Sequence, residues 1–391
     1  MNTHFDDIAD WLIETADEHG DLRSLTDKLV SRLREADVPV QRFNLGVFAL
    51  HPEMAGYAVV WDESMDEAIE VPVRREDTLK PLYLASPIRL LVQSRQAAHF
   101  DLEDSQAGSQ HPVIGEFREQ GYTHYLGFPI AYGDDGIAVL TACTKRPGGF
   151  SLEEIAGIER LFPILRLLIR IVETRRLAKT ILRTYLGGHI GERVLAGEIL
   201  RGQGETIQAA LWLCDLRGFT SMTSAIGSFA IIDVMNQYFD CMAEAVWGQQ
   251  GEILKFMGDA MLVVFRIGDE LSSGDAARRA VCAAQDALQR LEELSALRVE
   301  QGLLPLRTGV AVHLGSVVFG NVGASSRLDF TVMGQAVNLL ARIQHLTGET
   351  GEALLFSKEI AEHLAESSES LGAYDFKGVS EPVEVFKTTS E

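Results

Sequence analysis

The chain has 391 residues, of which 46% are hydrophobic and 23% are charged, proportions typical of a folded globular protein. This length exceeds one ordinary core and predicts two domains plus a connector. The formal net charge of −21 repels phosphate backbones and anionic lipid surfaces, so neither a nucleic acid nor a membrane is an expected partner. Any bound polyphosphate would therefore need metal cations.

The sequence predicts neither export nor a membrane span. Its first residues are acidic and lack the basic and apolar segments of a signal peptide. The most apolar stretch, 155–172, is interrupted by charged residues and by Pro163. The cysteines are far apart and form no CxxC pair, which predicts reduced thiols in a cytoplasmic protein. They are Cys143, Cys214, Cys241 and Cys282.

Residues 1–150 alternate between helical and strand-like patterns. Residues 5–37 have helical periodicity, and further helical segments are predicted near 87–97 and 112–120. Helices beside a mainly antiparallel sheet predict an α+β sensor-like domain. The predicted strands are 43–50, 57–61, 68–73, 124–131 and 136–143.

A helical connector is predicted over residues 151–204. Ser151 and Glu154 have the spacing of a capping box, and the helix they begin is expected to reach about Leu186 with a kink at Pro163. Apolar residues recur along it in steps of three and four, which fits either a seam between two helices or a helix packed on its own domain. We interpret them as a dimer seam. They are Ile155, Ile158, Phe162, Leu165, Ile169 and Val172.

Residues 205–391 have a different order of elements. AALWLCDLRGFT predicts a strand that ends at an aspartate, and ILKFMGDAMLVVF predicts two strands joined by a tight turn. The βαββαβ order predicts a ferredoxin-like sheet with helices on one face. Helices are predicted at 224–247, 274–300 and 335–346, and further strands at 307–314 and 327–333.

Two aspartates of this sheet predict a metal site. Asp215 ends the first strand, Asp259 lies in the tight turn, and the two strands concerned are neighbours in a ferredoxin-like sheet. Paired carboxylates suit Mg²⁺ or Mn²⁺, which bind substrate phosphates through one or two such ligands. Either residue alone would be interpreted as a turn former.

Four motifs in this half resemble the catalytic domain of class III adenylyl and guanylyl cyclases: LCDLRGFTSM, ILKFMGDAMLVVF, GVAVHLGSVVFGNVG and RLDFTVMGQAVNLLARI. The resemblance covers about residues 205–388. It implies that Asp215 and Asp259, with Leu216, hold two Mg²⁺ or Mn²⁺ ions per active site. It also implies that the following backbone, through Phe219 and Thr220, binds phosphate.

The resemblance assigns the remaining substrate contacts as well. Asn338 would orient the ribose, and Arg342, four residues on along the same helix face, would meet charge at the α-phosphate. Lys377 resembles the phosphate-contacting lysine of the family. Lys255 and Thr331 match the adenine-reading pattern, in which a donor meets N1 and an acceptor meets the 6-amino group.

Gln335 departs from the family, which often has Asp or Asn at this position. Lys255 and Asp259 are only four residues apart, yet they would contact opposite ends of one ATP. In the family this is resolved by a head-to-tail pair of domains, which implies a two-fold homodimer with shared active sites.

The segment YLGFPIAYGDDGIAVLTACTKRPGGFSLEEI resembles, more loosely, the end of a GAF-type sensor domain. This implies a GAF-like regulatory domain over residues 1–150 that binds an unknown small molecule or other ligand. His99, His111 and His124 are alternative haem or metal ligands, although scattered histidines are more typical of hydrogen-bonded or surface residues.

Together these features predict an adenylate cyclase, a phosphorus–oxygen lyase that converts ATP into 3',5'-cyclic AMP and pyrophosphate under the control of a sensor domain. A guanylyl or pyrimidine nucleotide cyclase is the alternative within the same class. A catalytically silent ligand-sensing module is the alternative from another class.

Overall fold

The computed structural model describes residues 3–18, 20–48, 54–133, 136–227, 229–269, 271–364 and 368–389. The chain divides into two compact units, residues 1–180 and residues 181–391. None of the helices in these described ranges is long and apolar enough to cross a membrane.

The first unit is built on a six-stranded antiparallel sheet in the order β3-β2-β1-β6-β5-β4. Its strands are β1 Arg42–Phe48, β2 Met54–Asp62, β3 Ile69–Arg74, β4 Ala98–Asp101, β5 His124–Tyr132 and β6 Gly136–Thr144. Its helices are α1 Thr3–Glu14, α2 Leu22–Glu35, α3 Pro81–Leu84, α4 Pro87–Ser94, α5 Pro112–Glu119 and α6 Leu152–Arg160, with 3₁₀ turns at Ala16–Glu18 and Glu76–Leu79.

These elements confirm the predicted mixture of helices and an antiparallel sheet. The helical stretch 5–37 is two helices, because Asp21 starts α2 by accepting a hydrogen bond from the Ser24 amide. The short elements α3 and β4 were not predicted, and positions 49 and 50 of the predicted strand 43–50 lie outside the described residues. The GAF-type identity of this unit stays a prediction.

The connector helix begins as predicted but is broken. Ser151 and Glu154 form the capping box at the start of α6. The helix then stops at Leu161, and α7 (Phe162–Leu186) begins with Pro163 as its second residue. Proline suits the first turn of a helix because its missing amide would be unpaired there anyway. The predicted kink is therefore a break between two helices.

The apolar stripe along α6 and α7 packs within its own unit. Ile158, Leu165 and Ile169 are almost fully buried in the core formed with α1, α2 and the sheet, and Phe162 packs against the same core. The spacing of these residues fits a helix packed on its own domain as well as a dimer seam, and the structure has the former. The interpretation as a dimer seam is wrong for these residues, because the face they form is already covered.

The second unit contains an eight-stranded sheet in the order β13-β14-β12-β10-β7-β9-β8, with β11 paired to β10. Its strands are β7 Gly204–Leu216, β8 Glu252–Met257, β9 Ala260–Arg266, β10 Thr308–Ala324, β11 Arg327–Met333, β12 Leu354–Ser357, β13 Ser368–Tyr374 and β14 Val383–Thr388. Its helices are α8 Gly188–Leu195, α9 Phe219–Ile226, α10 Ala230–Gly248, α11 Ser273–Glu300, α12 Gln335–Thr350 and α13 Lys358–Ala361.

The segment β10-β7-β9-β8, with α10 and α11, has the βαββαβ order that the sequence predicts. Both faces of the sheet are covered, however. Trp212 and Cys214 of β7 point into a core with α10 and α11, whereas Leu211 and Leu213 point into a second core with α12. The prediction of helices on one face is therefore incomplete, because α12, which follows the βαββαβ repeat, covers the other face of the sheet.

Candidate active site

The two predicted metal ligands lie beside each other at one edge of the sheet. Asp215 is the penultimate residue of β7, where it pairs with Ala260 of the adjacent strand β9. Asp259 immediately precedes Ala260, in a two-residue turn whose first position, Gly258, has a φ of +67°. Glycine adopts this conformation without strain, so the turn is tight and brings the two carboxylates together.

The electrostatics of the pair fit a divalent cation. Burial, together with the hydrogen bond and the charge of the neighbouring Asp259 carboxyl, raises the pKa of Asp215 to about 6. Asp215 Oδ1 is buried and has no hydrogen-bond partner within the described part of the chain. An orphaned oxygen next to a like charge is a poor arrangement without a cation and a good one with it.

A buried hydrogen-bond network holds the backbone at Asp215. It was not predicted from the sequence. Thr308 Oγ1 donates to the Asp215 carbonyl oxygen at 2.8 Å. The Tyr238 hydroxyl lies 2.9 Å from Thr308 Oγ1 and 3.0 Å from Cys214 Sγ, with all three side chains buried. These contacts fix the backbone that carries the carboxylate. Cys214 is a packing residue, since burial raises the pKa of its thiol to about 12.

The predicted phosphate-binding segment follows Asp215 directly. Leu216 ends β7, and its amide donates to the Asp215 carboxylate. Gly218, at a φ of +74°, is the N-cap of α9 and has no side chain to occupy the first amides of the helix. Phe219 is half-buried in the core and Thr220 is exposed. The segment therefore presents a helix N-terminus suited to an anion.

Arg217 ties this segment to the helix that carries two other predicted residues. Its guanidinium donates to the carbonyl oxygens of Thr347 at 2.8 Å and Glu352 at 2.6 Å, at the end of α12. Such contacts satisfy carbonyls that a helix C-terminus leaves free. Asn338 and Arg342 lie on the exposed face of α12.

Arg342 makes no ion pair among the residues that the structure describes, although an ion pair is the ordinary role of a surface arginine. Lys377 is exposed in the turn between β13 and β14. Gln335 is the exposed first residue of α12. The exposed side chains of Arg342 and Lys377 are therefore cations that an anionic ligand can reach.

The predicted base-reading residues are placed differently from each other. Thr331 is buried on β11, opposite Gly320 of β10. Lys255 is half-buried on β8, and its Nζ donates to Asp329 Oδ2 at 2.6 Å. Asp329, which sequence reasoning missed, lies two residues before Thr331. The pattern DFT contained this carboxylate, but nothing local indicated a contact with a strand 74 residues away.

His99, His111 and His124, all within the described residues, do not form a metal cluster. His111 Nδ1 lies 2.7 Å from the Ala85 carbonyl oxygen, and His124 Nδ1 accepts a hydrogen bond from the Phe150 amide. The ring centroids of His99 and His124 are 6.4 Å apart. Within the described ranges no group of three or more His, Cys, Asp or Glu side chains could hold a metal.

Residues 204–386 match the family model of the adenylate and guanylate cyclase catalytic domain. An adenylate cyclase of Anabaena cylindrica is 33% identical over 192 residues, which are 48% of this chain and 38% of the relative. Adenylate cyclase 1 of Rhizobium meliloti is 27% identical over 177 residues, 44% of this chain and 26% of the relative. The chain thus spans about a third of the length of these relatives.

One solved structure, a bacterial light-regulated adenylyl cyclase, is similar over 75% of this chain and 92% of its own, with 19% identity and a TM-score of 0.50. At this identity the similarity shows the fold alone. The motifs, the sheet order and the family match agree on one class of domain. Residues 204–386 are a class III nucleotidyl cyclase catalytic domain.

Proposed function

We propose that this protein is an adenylate cyclase that converts ATP into 3',5'-cyclic AMP and pyrophosphate. The observation that carries the proposal is the pair formed by Asp215 on β7 and Asp259 in the turn before the adjacent strand β9, with one buried carboxylate oxygen of Asp215 unpartnered in the described chain. Two Mg²⁺ or Mn²⁺ ions bound there would lower the pKa of the ribose 3'-hydroxyl and neutralise triphosphate charge.

The chain's own residues position the substrate around this pair. The amides of Phe219 and Thr220, at the start of α9, bind the phosphates. Asn338 orients the ribose, and the exposed guanidinium of Arg342 stabilises negative charge at the α-phosphate. Lys377 supplies a further cation to the triphosphate. The reacting groups are thereby held in line without a covalent intermediate.

Adenine is the proposed base because of Lys255 and Thr331. A lysine donor matches the N1 acceptor of adenine, and a hydroxyl accepts from its 6-amino group. Guanine presents the opposite pattern at both positions, and a site built to pair with one base leaves polar groups unpaired with the other. A guanylyl cyclase is the second candidate.

The working form is proposed to be a homodimer that shares its active sites. Large apolar side chains near Lys255 are exposed in the isolated chain: Phe256 is 53% exposed and Met257 43%. Ile232 and Phe229, at the start of the neighbouring helix α10, are also exposed. Exposed apolar groups of this size on a nucleotide-binding domain support burial against a second copy.

A nucleotide panel tests the proposal. The purified chain is incubated with each of the four nucleoside triphosphates and Mg²⁺ or Mn²⁺, and cyclic products and pyrophosphate are quantified. ATP should give cyclic AMP, with kcat/KM at least about 100-fold above that for GTP. Preference for GTP would replace the proposal with the guanylyl alternative. Wild type and Asp259→Ala equally inactive under all metals would favour the silent sensing module.

The first unit is proposed to regulate this activity in response to a ligand of unknown chemistry. The test removes residues 1–180, because residues 155–172 belong to the core of that unit and would be exposed by a cut at 150. Turnover should change. Unchanged turnover together with unchanged dimerisation would contradict a regulatory role.

A further inference from the structure

The ion pair between Lys255 and Asp329 joins two strands that are not neighbours in the sheet. β8 ends the strand order, whereas β11 pairs with β10. Lys255 Nζ nevertheless lies 2.6 Å from Asp329 Oδ2, with the lysine side chain 26% exposed and the aspartate 64% exposed. The contact therefore sets where the lysine ammonium lies, and the carboxylate remains open to solvent.

The position of the pair indicates a role with a ligand. Both residues line one open groove of about 1180 Å³ in the second unit. Exposed ion pairs contribute little to folding stability, so stability is a weak reason for this one. Thr331, on the same strand and two residues further on, is only 9% exposed. The Asp329 carboxylate is therefore more accessible to a bound base than the Thr331 hydroxyl.

The Asp329 carboxylate has the acceptor atoms that a contact with a base needs. Its Oδ2 accepts a hydrogen bond from Lys255, and within the described residues its Oδ1 accepts no side-chain hydrogen bond. We propose that Asp329 is a further specificity residue: Oδ2 orients the lysine toward N1 of adenine, and Oδ1 accepts a hydrogen bond from the 6-amino group. Guanine would bring its O6 acceptor against the carboxylate, which is unfavourable. This inference rests on the proposed adenylate cyclase activity.

The test compares Asp329→Asn with the conservative Asp329→Glu and with Thr331→Val in the full-length chain. We measure kcat and KM for ATP and for GTP with Mn²⁺. Asp329→Asn keeps the shape but gives an amide that can donate, so the ATP-to-GTP ratio of kcat/KM should fall at least about 10-fold, mainly through a higher KM for ATP. Asp329→Glu should recover part of the ratio, and Thr331→Val should change it less.

A matched control is Glu369→Gln, which removes another exposed carboxylate paired with a lysine, Lys387, on the same sheet. It should leave the ratio unchanged. A wild-type ratio in Asp329→Asn, or a lower KM for ATP, would overturn the inference, since Asp329 would then be a simple surface partner or a competitor for Lys255. In those cases the wild type still makes cyclic AMP; a wild type that cyclises no nucleotide overturns both proposals.

Discussion

The two ends of the proposed substrate site handle charge in opposite ways. At one end, Asp215 and Asp259 lie together as like charges, and one buried oxygen has no partner in the described structure. At the other end, Lys255 is already paired with Asp329. Under the proposed function, unfavourable electrostatics lie where a cation would bind, whereas the charges are already paired where a base would be selected. We call the pair Asp215 and Asp259 the metal end and the pair Lys255 and Asp329 the base end of the proposed site.

The largest effect is expected from removing one charge at the metal end. Asp259→Asn keeps the volume but halves the carboxylate ligands, and cyclic AMP formation should fall by about 10³-fold, more than the loss typical of residues that only support a ligand. Cyclic AMP is measured under saturating Mn²⁺. Asp240→Asn, an exposed aspartate of α10, is the control and should keep its activity. A decrease below about 10-fold in Asp259→Asn would contradict the assignment of the metal end.

The second prediction concerns whether the two ends of one active site come from the same subunit or from both. Asp259→Asn and Arg342→Ala should each be inactive alone. Mixed in equal amounts and allowed to exchange subunits, they should regain about a quarter of wild-type activity, because half of the dimers are mixed and each of these holds one intact site. Activity is measured after mixing and compared with each variant alone. No recovery, despite subunit exchange seen by native mass spectrometry, would place the complete site within one chain.

The proximity of Asp215 and Asp259 could be predicted from the sequence, whereas the contact between Lys255 and Asp329 could not, for a physical reason. Asp215 follows a continuous apolar strand, and Gly258 predicts the tight turn beside Asp259, so local patterns suffice. The Lys255 to Asp329 pair joins strands that are not sheet neighbours, and no local pattern specifies such a contact. The ferredoxin-like order was predictable, but the packing of α12 on the second face of the sheet was not.

The apolar stripe of α6 and α7, within the first unit, is a second example. Ile158, Leu165 and Ile169 have a spacing of three and four that a dimer seam and an intradomain helix share. Only the tertiary core decides between them, and here the residues are buried within their own unit. Periodicity reports which face is apolar, but it does not report what covers that face.

A smaller effect is expected from the network beneath Asp215. Tyr238→Phe removes the hydroxyl that lies 2.9 Å from Thr308, which in turn holds the Asp215 carbonyl. The Mn²⁺ concentration for half-maximal activity should rise about 10-fold, as is typical when the support of a metal ligand is lost, while the KM for ATP changes little. Tyr83→Phe, on helix α3 of the first unit, should have no effect. An unchanged metal requirement in Tyr238→Phe would show that the network serves folding alone.

The smallest effect is a pH dependence of stability in the metal-free protein. The folded pKa of Asp215 is raised to about 6, above the usual value of about 3.9 for an unfolded aspartate. Between these values the folded state holds more protons than the unfolded state, so the free energy of unfolding should fall as pH rises from about 4 to 6 and then level off. The contribution of Asp215 to stability is fully present below pH 4, where this residue is protonated in both the folded and the unfolded state.

Because Asp215 is only partly buried, the resulting Tm shift should be small, about 1–3 °C. Melting is followed in EDTA from pH 4.5 to 7.5 for the wild type and for Asp259→Asn, since the difference between the two curves cancels all other titrations. The variant should lose part of the decrease, because its neutral amide no longer repels Asp215. Mg²⁺ should raise the Tm of the wild type at pH 7.5 more than at pH 4.5, because the cation competes with the proton for the same oxygens. Parallel curves for the two proteins would mean that the carboxylates do not interact, and the contrast between the two ends of the site would then be lost.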